Sequence, residues 1–138
     1  MSENKRKVLV LDDEEPIRLS LKNLLDYEGY LVDTASNGKE ALDLCINDKY
    51  QVILSDISMP EMDGISFLGH IKEVDPFAEV VIMTGFSTLY KAIDCMKKGA
   101  FGYTKKPFEH DNLLLLIQKA AENSIFRRQM ALQALKGR

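Results

Sequence analysis

The chain has 138 residues, 46% hydrophobic and 28% charged, which is enough apolar material for one core and one domain. Eighteen Lys and Arg against 21 Asp and Glu leave a net charge of −3, which excludes a domain that holds nucleic acid by bulk electrostatics. The longest apolar run, Leu113 to Ile117, is far too short to span a bilayer, and the polar start Met1–Lys7 has no signal core, so no membrane partner and a cytoplasmic location are expected.

In chain order, Val8-Leu9-Val10-Leu11 predicts a strand over Lys7–Leu11 that ends in Asp12-Asp13. Pro16 suits a first helical turn, Ile17, Leu21, Leu24 and Leu25 share one helical face, and Gly29 suits a C-terminal cap, giving a helix over Pro16–Tyr27. A strand over Tyr30–Ala35 and a helix over Gly38–Asn47 follow. The strand Gln51–Ser55 leads into Asp56-Ile57-Ser58-Met59-Pro60-Glu61-Met62-Asp63-Gly64, a shaped loop in which Gly64 is expected at positive φ. Next come a helix over Ile65–Val74, a strand over Glu79–Met83 that runs into Thr84, and a helix over Thr88–Lys98 ended by Gly99. A short strand, Gly102–Thr104, precedes Lys105-Lys106-Pro107, and a last helix runs from Glu109 to about Leu135. Cys45 and Cys95 fall inside helical patterns far apart in sequence and read as buried, reduced thiols.

Strands apolar on both faces alternate with amphipathic helices, which predicts a doubly wound α/β domain with a parallel sheet. Five strands suit the flavodoxin-like order 2-1-3-4-5, whose switch point lies between strands 1 and 3. Those strands end in Asp12-Asp13 and Asp56, so the topology by itself gathers three carboxylates in one crevice. Such a group either takes up protons or holds a cation. Oxygen-only donors, with no Cys or His nearby, favour a hard ion, and Mg²⁺ fits best. With the Thr84 hydroxyl and the Lys106 ammonium also just past strand ends, the set points to phosphoryl transfer onto Asp56. His70 and His110 have no metal-ligand spacing and read as surface residues.

Asp12-Asp13, the segment Ser55 to Gly64 around Asp56, Thr84-Gly85 and Tyr103-Thr104-Lys105-Lys106-Pro107-Phe108 together resemble the receiver domain of two-component response regulators, over roughly residues 5–122. The likeness is greatest to receivers attached to transcriptional activators with ATPase output domains. By that resemblance Asp56 is the phosphoacceptor, charged from a phosphohistidine on a sensor histidine kinase. Asp13 and Asp56 ligate Mg²⁺ directly, Ser58 does so through its backbone carbonyl, and Asp12 acts through water. Lys106 holds the phosphoryl oxygens, the Lys106–Pro107 peptide is cis, and Thr84 and Tyr103 form the switch pair. The protein is then no enzyme towards other substrates; it catalyses only its own phosphorylation and slow autodephosphorylation.

The resemblance implies a receiver domain over 1–122 and an extension of the last helix over 123–138, a linker or dimerisation helix. Leu114, Gln118, Ala121, Ile125, Arg128, Leu132 and Leu135 follow 4-3-4-3-4-3 spacing, the pattern of a coiled-coil seam with two polar interruptions. This raises a homodimer through the last helix and an output domain beyond Arg138. The alternative face, Leu113, Leu116, Ile117 and Ala120, would pack on the sheet. Arg127, Arg128, Lys136 and Arg138 make the tail basic, yet no recognition fold accompanies them and no direct nucleic-acid contact is expected. Of the competing functions, an Mg²⁺-dependent phosphatase with an aspartate nucleophile would usually need a second aspartate at the position of Ser58. A flavin or nucleotide carrier would need a phosphate-cradling loop where Asp12-Asp13-Glu14-Glu15 stands.

Overall fold

The computed structural model describes residues 6–59 and 61–137; the polar start Met1–Lys5, Pro60 of the loop after Asp56, and Arg138 lie outside the described residues. The elements run β1 (Lys7–Leu11), α1 (Glu15–Tyr27), β2 (Leu31–Ala35), α2 (Gly38–Asn47), β3 (Val52–Asp56), α3 (Gly64–Val74), β4 (Glu79–Thr84), α4 (Leu89–Lys97), β5 (Gly102–Lys105) and α5 (His110–Lys136). All strand pairings are parallel, in the order β2-β1-β3-β4-β5. This is the doubly wound sheet that the alternating pattern implied.

Alternate residues of the central strands feed two cores. Val8, Val10, Val52, Leu54, Val81 and Met83 meet α1 and α5, whereas Leu9, Leu11, Ile53, Val80 and Ile82 meet α2, α3 and α4. Each such side chain contributes about 1.5–3 kcal/mol on burial. A strand apolar on both faces is stable only when helices cover both sides, and only a parallel βα chain supplies them. The register sets Leu11 of β1 level with Ser55 of β3, and Asp56 level with Met83 of β4. Residues following β1, β3, β4 and β5 therefore emerge along one edge of the sheet.

Gly29 and Gly99 take positive φ, of 97° and 105°, just past the ends of α1 and α4. Gly64 does not, contrary to the expectation for its loop; Glu61 adopts the left-handed conformation there, with φ 72°. Gly64 is required for a different reason. A Cβ on it would lie 3.0 Å from the Ile57 Cα, and its N–H donates to the Ile57 carbonyl at 2.9 Å. The close approach folds the loop after β3 back against the strand end, while Asp63 caps α3 by accepting from the Ser66 N–H at 2.9 Å.

The helix α5 covers the sheet with Leu113, Ile117, Ala120 and Ala121, and its half-buried Leu116 meets the backbone of Gly102 on β5. It then stays attached well past residue 122. Ser124 Oγ donates to the Phe77 carbonyl at 2.5 Å, Asn123 Nδ2 to Glu79 Oε2 at 2.5 Å, and Arg127 Nη1 to the same oxygen at 2.9 Å. Arg127 Nη2 reaches the Pro76 carbonyl, and Arg128 Nη2 reaches Asp75 Oδ2 at 3.0 Å. Both guanidinium groups stand over the Phe77 ring, 5.5 and 5.2 Å from its centre. Arg127 and Arg128 are thus engaged by residues 75–79, from the end of α3 to the first residue of β4. Of the seam residues, Ala121 is in the core and Arg128 is paired within its own chain, while Leu132 and Leu135 are exposed.

Asp75 is 3% exposed, so removing its partner leaves a nearly dry carboxylate without a counter-charge. Arg128→Ala is expected to lower unfolding free energy by about 1–3 kcal/mol in urea titrations. A loss below a few tenths of a kcal/mol would mean that the latch only decorates the surface.

Candidate functional site

Asp12 follows β1 directly and is wholly buried; its side chain is fixed from two sides. Its Oδ1 accepts the Glu14 N–H at 2.9 Å, and its Oδ2 accepts from Lys106 Nζ at 2.9 Å. Its carbonyl accepts from Arg18 Nη1 at 2.7 Å, which ties the turn to α1. Capping is not the job of the acidic pair, because Glu14 occupies the N-cap position of α1 and makes no side-chain cap bond.

Asp56 is the last residue of β3 and is 7% exposed, whereas Asp13 is exposed. One carboxylate oxygen from each of Asp12, Asp13 and Asp56 lies within 4.8 Å of the others. Three hard oxygen donors so close, one of them open to solvent, suit a small divalent cation that keeps several of its waters. Lys106 Nζ stands 3.5 Å from Asp56 Oδ1 and so bridges the two buried carboxylates. It leaves from the end of β5, where Lys105 pairs with Thr84, and the Lys106 N–H donates to the Thr84 carbonyl at 2.8 Å. Lys105 itself is exposed, and the Lys106–Pro107 peptide is cis. The exposed Ser58 offers its backbone N–H to Asp56 Oδ1 at a long 3.4 Å.

Thr84 ends β4 fully buried. Its Oγ1 donates to the Gly85 carbonyl at 3.0 Å and lies 2.7 Å from Thr88 Oγ1. Tyr103 sits on the neighbouring strand two register positions away, level with Ile82, and is 40% exposed. His70 and His110 are exposed, outside the cluster. Residue patterning did not single out Arg18 or the hydroxyl of Thr88. The i, i+4 threonine pair across Gly85 was the available sign, and it reads equally as an ordinary helix start.

Burial pushes the Asp56 carboxyl above its usual range; Lys106 opposes this, Asp12 adds to it, the Ser58 N–H opposes it and Asp13 adds to it. For Lys106 burial works against the charge, but the hydrogen bond to Asp12 and the field of Asp56 outweigh it, so the ammonium titrates above its usual value. The two thiols are pushed up to about 12 (Cys45) and about 11 (Cys95), mainly by burial, and neither belongs to the site.

A family model described as the response regulator receiver domain matches residues 8–118. The chain is 33% identical over 124 residues to regulatory protein AtoC of Escherichia coli, covering 90% of this chain and 27% of that protein. It is 40% identical over 116 residues to the DNA-binding transcriptional regulator NtrC of Proteus hauseri, covering 84% of this chain and 24% of that one. The chain therefore spans about a quarter of the length of these curated relatives. Among solved structures, a response regulator receiver domain protein from Clostridium thermocellum superposes with a TM-score of 0.80 at 37% identity, covering 91% of this chain and 98% of that one.

The raised Asp56 pKa has a sign that stability can test. The folded state binds this proton more tightly than the unfolded chain does, so its contribution is present at low pH. It is lost as pH rises from the usual carboxylate range through the folded pKa. Without divalent cation, Asp56→Asn is expected to flatten that part of the pH profile and to be more stable than the unmodified protein at pH 7. Thermal unfolding between pH 4 and pH 7 measures both. A mutant less stable than the parent at neutral pH would mean that Lys106 outweighs burial.

Proposed function

The chain belongs to the response regulator receiver family, and from that premise we propose that it is a phosphorylation-dependent signalling switch. It takes a phosphoryl group on Asp56 from the phosphohistidine of a sensor histidine kinase and controls an output domain or partner. The observation that carries this reading is the nearly dry Asp56 carboxylate standing 3.5 Å from Lys106, beside Asp12 and Asp13.

In the transfer, an Asp56 oxygen bonds to phosphorus, the phosphorus–nitrogen bond of the donor breaks, and the leaving imidazole regains its proton from solvent. A carboxylate with few waters to shed is a better nucleophile than a solvated one, and burial supplies that state. Lys106 moves from the free Asp56 oxygen to the phosphoryl oxygens, where its charge offsets the one arriving. Asp12 holds the lysine in place meanwhile. The Thr84 hydroxyl turns to a phosphoryl oxygen, and Tyr103 occupies the space it leaves. Mg²⁺, held by Asp13, Asp56 and the Ser58 carbonyl with Asp12 acting through water, supplies charge neutralisation of the phosphoryl oxygens. Ser58 stands where an aspartyl phosphatase would carry its acid/base aspartate, so turnover of foreign phosphoesters is not part of this reading. The catalysis is limited to self-phosphorylation and slow autodephosphorylation.

The receiver is residues 1–122, residues 123–128 stay fastened to it, and the rest of α5 up to Lys136 leads towards an output domain, of the kind that makes a transcriptional activator with an ATPase. The setting is the cytoplasm, and this domain contacts neither membrane nor nucleic acid itself. The exposed Leu132 and Leu135 support self-association through α5.

Incubation with acetyl phosphate and Mg²⁺ is expected to add one base-labile phosphoryl group by intact mass, and chelation of the metal is expected to abolish uptake. Asp56→Asn is expected to lower uptake at least tenfold. Uptake by that variant equal to the parent's would overturn the assignment. Sedimentation of the chain with and without beryllofluoride reads out the second part of the proposal. A shift in self-association is expected, and it should vanish when residues 129–138 are removed, a cut that leaves the Arg128 latch whole. A monomer in both states at hundreds of micromolar would overturn dimerisation through α5.

A further inference from the structure

Thr88 occupies the N-cap position of α4 but does not cap it: φ is −113°, ψ is 14°, and the side chain accepts no hydrogen bond from the helix. The preferred use of a threonine there is to accept the N–H of the second or third helical residue, here Tyr90 or Lys91. Instead the Thr88 hydroxyl lies 2.7 Å from Thr84 Oγ1 and 3.2 Å from the Gly85 carbonyl. Thr84 Oγ1 is also 3.0 Å from that carbonyl. The three oxygens form a closed triangle served by two hydroxyl protons, so two bonds form at once and each hydroxyl is held by the other.

The helix this leaves uncapped is weakly held. It is nine residues long, opens from a 3-10 turn over Phe86–Thr88, and has no acidic residue in its first turn. Its outward side exposes Tyr90, Ile93 and Met96, and Phe86 before it is 88% exposed. Ala92 and Cys95 are its buried residues. With so little burial, one capping bond is a large part of what holds its first turn.

We propose that Thr88 is a positioning residue of the switch: it holds the Thr84 hydroxyl away from Asp56 until phosphorylation, and on release it caps α4. This deepens the reading of Asp56 as phosphoacceptor and rests on it. When Thr84 turns to a phosphoryl oxygen it gives up Thr88. The freed Thr88 hydroxyl then accepts the N–H of Tyr90 or Lys91. The single bond between the two hydroxyls is given up and two are gained, Thr84 to a phosphoryl oxygen and a helix N–H to Thr88, so the hydrogen-bond count rises by one. The phosphoryl oxygen is the partner for which Thr84 leaves Thr88, so its arrival decides between the two arrangements. The exchange also converts a rotation of one buried hydroxyl into a change of order at the first turn of α4.

Amide hydrogen exchange at Tyr90 and Lys91 tests this, in samples whose phosphoryl content is read by intact mass after treatment with acetyl phosphate and Mg²⁺. In the unmodified chain, protection at these two amides is expected to rise about fivefold to tenfold on phosphorylation, the equivalent of one cap bond. In Thr88→Val, of the same shape but without the hydroxyl, the rise is expected to be absent although Asp56 carries the phosphoryl group. Thr88→Ser is expected to restore it, which a purely structural role would not require. An equal rise in phosphorylated Thr88→Val overturns the role of Thr88. No rise in the phosphorylated unmodified chain overturns it as well. Absence of any mass gain in the unmodified chain overturns the phosphoacceptor reading, and with it this one. If Thr88→Val unfolds, Thr84→Val decides: without phosphate it frees Thr88, so protection at Tyr90 and Lys91 is expected to be high already, and low protection there overturns the exchange.

Discussion

Two carboxylates with almost no water around them, Asp12 and Asp56, share the ammonium of Lys106. The remainder of the site depends on that arrangement. A single positive charge between two buried negative ones leaves the pocket short of cation, and the exposed Asp13 adds to the deficit on the solvent side. Such a pocket attracts a small cation. Burial keeps Asp56 poorly hydrated and its carboxyl titrating high, while Lys106 keeps it ionisable. Either influence alone would spoil the balance. Burial without Lys106 would push the Asp56 carboxyl higher still, and a solvated aspartate would be an ordinary surface carboxylate.

The sheet makes this arrangement possible because it is parallel. In a parallel sheet all strands finish at one edge, and the chain order β2-β1-β3 opens a crevice between β1 and β3. Strand ends that are 44 and 94 residues apart in sequence from Asp12 therefore converge, as the contact of Asp12 with Lys106 illustrates. The energy that holds the acidic residues together comes from the two apolar layers beneath them. Those layers bury every residue of β3 and β4, including Asp56 and Thr84.

Stability is distributed unequally above that base. The helix α5 is fastened as far as Arg128, first by apolar packing and then by Ser124, Arg127 and Arg128 on the segment 75–79. The helix α4 is short, exposes large apolar side chains and lacks a side-chain cap. Segments of low local stability are the ones that can change state at modest cost. The one of these two that lies next to Thr84 is α4, so the site and the less firmly held helix are joined through a single turn of chain.

Much of this was legible in the residues. Val8–Leu11, Val52–Leu54 and Val80–Met83 are apolar on both faces, which implies buried parallel strands, and the strands place Asp12, Asp56, Thr84 and Lys106 at one edge. Those inferences succeed because periodicity and chain connectivity are local or topological properties. What the sequence left open turns on distances between residues that its pattern does not relate. Gly64 looked like a residue for positive φ, but its need is room against the Ile57 backbone, and Glu61 takes the positive φ. Arg127 and Arg128 looked like part of a basic tail, and Arg128 like an interruption in a seam, but Arg127 binds Pro76 and Glu79, Arg128 binds Asp75, and both stand over Phe77, about fifty residues earlier in the chain. Thr88 looked like a helix start, and only the folded turn sets its hydroxyl against Thr84 in place of a backbone N–H. By itself the sequence determined the sheet, its order and the gathering of charge at one edge, since hydrophobic period and handed crossovers admit little else. Tertiary packing alone decided which polar side chains meet, because a hydrogen bond is chosen at the scale of a few tenths of an ångström, and no spacing rule reaches that far.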